Sequence, residues 1–317
     1  MVAERELEQD FEARYDAVCK RVLSHKAILA RIMQGCLAEY QDCEPDEIAE
    51  KYIEGKPQVA DAPVLPLIQG LSSNDTSPEE GAVSYDVLFQ SLLPNSQERV
   101  HLIINLEAQN AWNPGYSLLQ RGVYYCSRLL SAQYGREFTH SQYGQLKKVY
   151  SIWICMNPPK KFQNTISRYY LQEENLVGLA RESRTNYDLL SVVRICLGAE
   201  DGENYQGILK MLNVLFSMQK SQAEKWRILC DDFAIKATQD LEQEVSEMCN
   251  LSQGVKESGR MQGVAQGMAQ GMAQGKAEAM LFAVKSLMES TNWPAERAME
   301  MLKIPEEDRK KYAKMLN

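Results

Sequence analysis

Apolar residues in the first forty positions recur at three- and four-residue steps. Val18, Val22, Leu29, Ile32, Met33, Cys36 and Leu37 fall largely on one helical face, predicting a helix over residues 5 to 40 that stops at Gln41-Asp42-Cys43-Glu44-Pro45. A short helix is expected from 45 to 53, with Pro45 in its first turn. Residues 56 to 82 mix proline, serine, asparagine and glycine and read as loop or edge structure. The period then changes to two: Val83, Tyr85, Val87 and Phe89 alternate with Ser84, Asp86, Leu88 and Gln90. From 100 to 109, Leu102, Ile104 and Leu106 alternate with Ile103, Asn105, Glu107 and Gln109. Such alternation predicts two strands, joined by the turn formers Pro94-Asn95-Ser96-Gln97-Glu98.

Further along, residues 116 to 133 fit a helix with Leu118, Leu119, Val123, Tyr124, Cys126, Leu129 and Leu130 as apolar positions. The apolar run 149 to 155 reads as a strand buried on both faces, and 189 to 197 as a last strand. Helix, hairpin, strand, helix and strand in that order predict an α/β core. Helices follow at about 204–219, 222–232 and 235–249. Then Gly259, Gly263, Gly267, Gly271 and Gly275 recur in steps of four. Five such glycines cost a helix about 5 kcal/mol relative to alanine, so two readings stand: a self-association helix whose glycine stripe lets backbones approach closely, or a flexible tether. Short helices at 277–289, 294–302 and 305–316 complete the chain. The expected organisation is a core domain over 1–215, a helical connector over 216–253, the glycine repeat over 254–276 and a small helical unit over 277–317.

A hairpin folded symmetrically between Ser96 and Gln97 sets Asp86 opposite Glu107 and Gln109 opposite Ser84. Opposed residues have Cβ atoms roughly 4.5–5.5 Å apart, close enough for two carboxylates to share a divalent cation. The alternative is a surface hairpin with both acids solvated. Eight cysteines without a C-x-x-C pair read as reduced, mostly buried residues, and three dispersed histidines argue against a histidine-based zinc site. No apolar run approaches the ~20 residues of a membrane span, and the acidic start Met1-Val2-Ala3-Glu4-Arg5-Glu6 is unlike a secretion signal, which points to the cytoplasm. Net charge is −8, yet Arg121 to Arg168 carries eight basic residues against Glu137 alone, a local +7. Tyr116, Tyr124, Tyr125, Tyr134, Tyr143 and Tyr150 are interleaved with these charges, as expected of a DNA-contacting surface; the alternative is that the charges lie scattered over several solvated faces.

Several motifs carry a family resemblance: Tyr85-Asp86-Val87-Leu88-Phe89, Ile104-Asn105-Leu106-Glu107-Ala108-Gln109-Asn110, Pro114-Gly115-Tyr116, Arg121-Gly122-Val123-Tyr124-Tyr125 and Lys148-Val149-Tyr150-Ser151-Ile152-Trp153-Ile154-Cys155, followed by the glycine repeat. From about residue 15 onward the chain resembles the PD-(D/E)xK nuclease family transposases, the recombination-promoting nucleases. The resemblance implies a restriction-endonuclease-like core, a mixed sheet flanked by helices, with a helical C-terminal extension. It also implies Mg²⁺- or Mn²⁺-dependent hydrolysis of DNA phosphodiesters, with Asp86 and Glu107 as metal ligands and Gln109 where many relatives have lysine. The superfamily often draws a further acidic ligand from a preceding helix, for which Glu39 is the best-matched residue. Gln120-x-x-x-Tyr124 resembles an accessory motif that orients substrate, and Arg121 and Arg128 on the same helix are candidate phosphate contacts. Tyr124 as a core residue and Arg121 as an ion-pair partner is the plainer alternative. At the level of function, the rival is a non-catalytic DNA-binding or assembly protein that has kept the fold. Glu79 and Glu80 are nearby acids better read as solvated loop.

Overall fold

The computed structural model describes residues 2–59, 74–77, 81–94, 99–100, 104–109, 112, 114–198 and 206–316. The first predicted helix is two. Helix α1 (Val2–Leu23) ends where the Ser24 hydroxyl donates to the Arg21 carbonyl at 2.7 Å, and His25 takes an extended conformation before α2 (Lys26–Cys36). A side chain that bonds back to the preceding turn competes with helix continuation. Leu37 is again extended, so Glu39 does not end a helix but sits in a separate tight turn over Ala38–Tyr40. Helix α3 (Pro45–Glu47) begins at its proline and widens into a turn over Ile48–Tyr52.

The strands are β1 (Ile53–Val59), β2 (Asn74–Ser77), β3 (Gly81–Ser84), β4 (Val87–Leu92), β5 (Arg99–Val100) and β6 (Ile104–Gln109), followed by helix α4 (Leu118–Ser131) and strands β7 (Val149–Cys155), β8 (Thr165–Tyr170) and β9 (Leu190–Cys196). Strands β1, β4 and β5 form an antiparallel sheet, and β2 pairs with β3. The main sheet has the order β6-β7-β9-β8, parallel except for β8, which runs antiparallel to β9. The architecture is therefore mixed α/β, a small mixed sheet and an antiparallel sheet flanked by helices. Every residue of β7 is buried, as its apolar run predicts. Strand β8 escapes the sequence reading because it is an edge strand that alternates between half-buried and exposed residues, with little apolar signal.

The two faces of β7 divide the core. Tyr150, Ile152 and Ile154 join α1, α2 and the later helices in one cluster, whereas Val149, Trp153 and Cys155 join α4 in the other. Helix α4 lies tight on the sheet because residue 122 is glycine: a Cβ there would meet Trp153 Nε1 and Val192 Cγ1, both at 2.8 Å. Gly122→Ala is expected to destabilise the protein by up to about 2 kcal/mol in urea unfolding, since core overpacking of about 1–3 kcal/mol is offset by the ~1 kcal/mol that alanine returns in helix propensity.

The remaining helices are α5 (Gly207–Phe216), α6 (Gln222–Phe233), α7 (Gln239–Thr291), α8 (Ala295–Met301) and α9 (Glu306–Leu316). Ser221 and Glu224 form a reciprocal capping box at the start of α6. Residues 216–253 are not a bare connector, because Leu229, Ile235, Leu241, Val245 and Met248 belong to the main core. The glycine repeat lies inside the 53-residue helix α7. The chain divides into two compact units, Met1–Gly254 and Val255–Asn317, the second with its own core around Val284, Ala298, Met299, Ile304 and Tyr312. Among the described residues no helix is long and apolar enough to cross a membrane.

Candidate functional site

Asp86 does not continue a strand. It sits in the break between β3 and β4, and this break reverses the expected alternation: Tyr85 packs with Leu88 in the α4 cluster, while Val87 and Phe89 face the other core. Nor does a hairpin ladder bring it opposite Glu107. Ser91 pairs with Val100, where the symmetric turn would set it against Leu102, and β6 leaves that sheet to lie parallel to β7, with Glu107 beside Trp153 and Gln109 beside Cys155. The Glu107 and Gln109 side chains lie outside the described atoms, as do Glu79 and Glu80 altogether.

The partner that the structure supplies to Asp86 comes from α1. Lys20 Nζ lies 3.0 Å from Asp86 Oδ1 and 2.7 Å from Asp16 Oδ2, one helical turn earlier. The Asp86 and Lys20 side chains are only 14% and 13% exposed. Burial pushes the Asp86 carboxyl up to about 6, further than Lys20 and Arg121 pull it down, and Asp16 adds to the rise. Burial acts to lower the Lys20 pKa, but hydrogen bonds and charge from Asp16 and Asp86 outweigh it and hold the ammonium above its ordinary range. The two shifts differ in sense because Lys20 faces two carboxylates while Asp86 bears the larger cost of desolvation. Sequence reading missed Asp16 and Lys20. Their four-residue spacing put them on one face of a predicted helix, but nothing local tied that face to a carboxylate far along the chain.

Arg121 projects from the first turns of α4, whose start Ser117 caps. Its guanidinium donates to the Tyr125 hydroxyl and, at 3.1 Å, to that of Tyr116, and it lies 5.3 Å from the centroid of the Trp153 ring. It is thus held over aromatic faces with its charge near Asp86. Gln120 and Tyr124 are exposed on the outer side of α4, so Tyr124 is not a core residue. Arg128, 5% exposed, donates to the Tyr124 hydroxyl at 3.3 Å; its charge is turned into the protein rather than toward solvent.

Glu39 belongs elsewhere. Its carboxylate accepts from the Tyr150 hydroxyl at 2.9 and 2.7 Å on its two oxygens and from Lys148 at 3.0 Å, and Lys148 also pairs with Asp188. Burial pushes the Glu39 carboxyl up, but Lys148 and Tyr150 outweigh it and hold it below the usual range. Among the described residues Glu39 and Asp86 share no partner, and the helix acid that does stand beside Asp86 is Asp16. The basic segment divides too. Arg121, Arg128 and Lys148 are engaged internally, while Arg136, Lys160, Lys161 and Arg168 are exposed; Tyr125 and Tyr150 are buried and offer nothing to a ligand, unlike Tyr116, Tyr124, Tyr134 and Tyr143.

A magnesium or manganese ion takes hard oxygen donors. Asp86 and Asp16 are such donors converging on one cation, the Lys20 ammonium, and Asp86 is a carboxylate that added positive charge would relieve. The donor chemistry therefore fits a divalent ion, although among the described residues no three acidic, histidine or cysteine side chains cluster as a ready-made cage. No family model, no curated protein and no solved structure matches the chain.

Proposed function

We propose that the chain is a metal-dependent DNA endonuclease of a transposase-like, recombination-promoting type, built on a restriction-endonuclease-like core and acting in the cytoplasm. The observation that carries this reading is the Asp86 carboxylate, buried, raised to about 6, and set between the Lys20 ammonium and the charge of Arg121. Acids perturbed by burial and flanked by specific charges cluster at functional sites. In this reading Asp86 and Glu107, with Asp16 beside Asp86 on Lys20, would hold Mg²⁺ or Mn²⁺. When bound, the ion supplies a water of lowered pKa and charge neutralisation at the phosphate. Arg121, fixed by Tyr116 and Tyr125, grips a non-bridging phosphate oxygen. Gln109 orients the attacking water but carries no charge. Lys20, from α1, supplies the ammonium that the position of Gln109 lacks in this chain. Gln120 and Tyr124 line the approach of the strand along α4. The glycine-repeat helix, with Val264, Met268 and Met272 exposed at steps of four, serves self-association.

One observation favours a second reading. Lys20 closes an ion-pair chain with Asp16 and Asp86 that satisfies the buried carboxylate without a metal, as in a DNA-binding or assembly protein that retains the fold. Nicking of supercoiled plasmid separates the two. Activity is expected with Mg²⁺ or Mn²⁺ and none with EDTA, rising about ten-fold from pH 5 to 7 as a carboxyl of pKa about 6 ionises and becomes able to ligate. Absent nicking would leave the assembly reading, and nicking that persists in EDTA would remove the metal from the endonuclease reading.

A further inference from the structure

Between α4 and β7 the chain makes a loop, residues 132–148, that is closed at its base by one side chain. Gln133, 4% exposed, donates from Nε2 to the Lys147 carbonyl at 2.8 Å and accepts the Lys147 N–H on Oε1 at 2.7 Å. A buried amide thus does the work of a strand neighbour across the loop. Inside it, the Gln133 carbonyl accepts the N–H groups of Arg136 and Glu137 at 3.1 and 2.8 Å, and Gly135 donates to the Phe138 carbonyl at 2.8 Å. Gly135, at φ 80°, occupies a conformation that glycine tolerates without strain.

What this scaffold presents is aromatic. Phe138 is buried, 6% exposed, and the rings of Tyr134 and Tyr143 both pack against it, each with centroids 5.5 Å away. Yet Tyr134 is 61% and Tyr143 63% exposed. The fold uses the phenylalanine; it leaves most of both tyrosines in water. Compact loops whose ends meet and whose interior is self-packed are frequently functional, and a pre-ordered ring loses little further entropy on contact.

Charge narrows the partner. Arg136, exposed, lies between the two tyrosines in sequence, and Glu137 is the single acid between Arg121 and Arg168. A polyanion fits this surface better than an apolar peptide, and exposed tyrosine rings fit bases that are not already stacked, as in a single strand. The loop follows the end of α4 at Ser131, ten residues of helix from Arg121, which is about 15 Å of rise, a few nucleotides of extended chain.

Resting on the reading of the chain as a protein that acts on DNA, we infer that loop 132–148 is a stacking platform for an unpaired stretch of DNA beside the Asp86 site. The full-length protein in EDTA, titrated against a fluorescent single-stranded oligonucleotide and its duplex, tests this apart from catalysis. Wild type is expected to prefer the single strand. Tyr134→Ala and Tyr143→Ala are each expected to weaken that binding about ten-fold and to leave duplex binding unchanged, while Tyr134→Phe and Tyr143→Phe retain it. A wild type that prefers duplex, alanine variants that bind the single strand as tightly as wild type, or alanine variants whose mass by light scattering drops without DNA would overturn the platform; the last would assign the rings to a second copy of the chain. Loss of nicking with single-strand binding intact would count against the endonuclease reading and leave the platform standing.

Discussion

Asp86→Asn is expected to raise stability and remove activity together. The carboxyl's folded pKa of about 6 lies above its ordinary 3.8, so the folded state binds the proton more tightly than the unfolded chain does. The stabilisation from that proton is complete below about pH 4 and is lost as pH rises through 6. At neutral pH the charged Asp86 therefore costs stability, on the order of 2–3 kcal/mol if the whole shift is counted. That figure is already net of the attraction of Lys20 and Arg121, and an amide reproduces the protonated acid only in part, so only a share of it is recovered. A net gain of about 1 kcal/mol at pH 7.5, shrinking to nothing near pH 4, is the expected result in urea unfolding at the two pH values. Metal-dependent nicking should fall on the order of 100-fold or more, because a neutral amide neither ligates a divalent ion as a carboxylate does nor shares its charge. A variant that is less stable at pH 7.5 would mean that the Lys20 pair outweighs burial; a variant that nicks normally would remove Asp86 from the site.

Trp153→Ala is the most damaging single core change expected. Its side chain is 1% exposed at the centre of β7, donates from Nε1 to Ser151 Oγ at 2.9 Å, and packs against the Tyr125 ring and beneath the Arg121 guanidinium. Truncating a buried tryptophan costs about 3–5 kcal/mol in transfer and cavity terms, and here it also leaves the α4 cluster without its largest member. Unfolding midpoints in urea should fall accordingly. Because Arg121 loses the ring that supports it, the residual folded protein should also nick more slowly than its population accounts for. Trp153→Phe, which keeps an aromatic face, should lose roughly half as much stability and retain most of the activity per folded molecule. Activity per folded molecule that is unchanged in the alanine variant would show that Tyr116 and Tyr125 suffice to position Arg121.

Much of the fold was legible because its signals are local. The buried run 149–155, the strand ending at Cys196 and the helices over Leu118–Ser131 and Gln222–Phe233 each carry their own period and end near their own stop residues. The acid at position 86 could be picked out as a candidate by its place beside a short alternating run. Other features were weakly written. Strand β8 has no apolar period, and the break after Leu23 depends on one serine hydroxyl.

The remaining questions were settled only by chain segments far apart in sequence. The Asp86 carboxyl is raised by burial and by Asp16 of α1, against the pull of Lys20 of α1 and Arg121 of α4, and Asp16 and Lys20 become its neighbours only when α1 packs. Glu39, an equally plausible acid by position, is taken up by Lys148 and Tyr150 instead. Glu107 left its expected hairpin because β6 pairs with β7. Periodicity fixes which residues of a segment share a face, and the sequence by itself determined that much here. Which face meets which depends on burying the largest apolar area while satisfying each buried charge, and for this protein only the tertiary structure decided it.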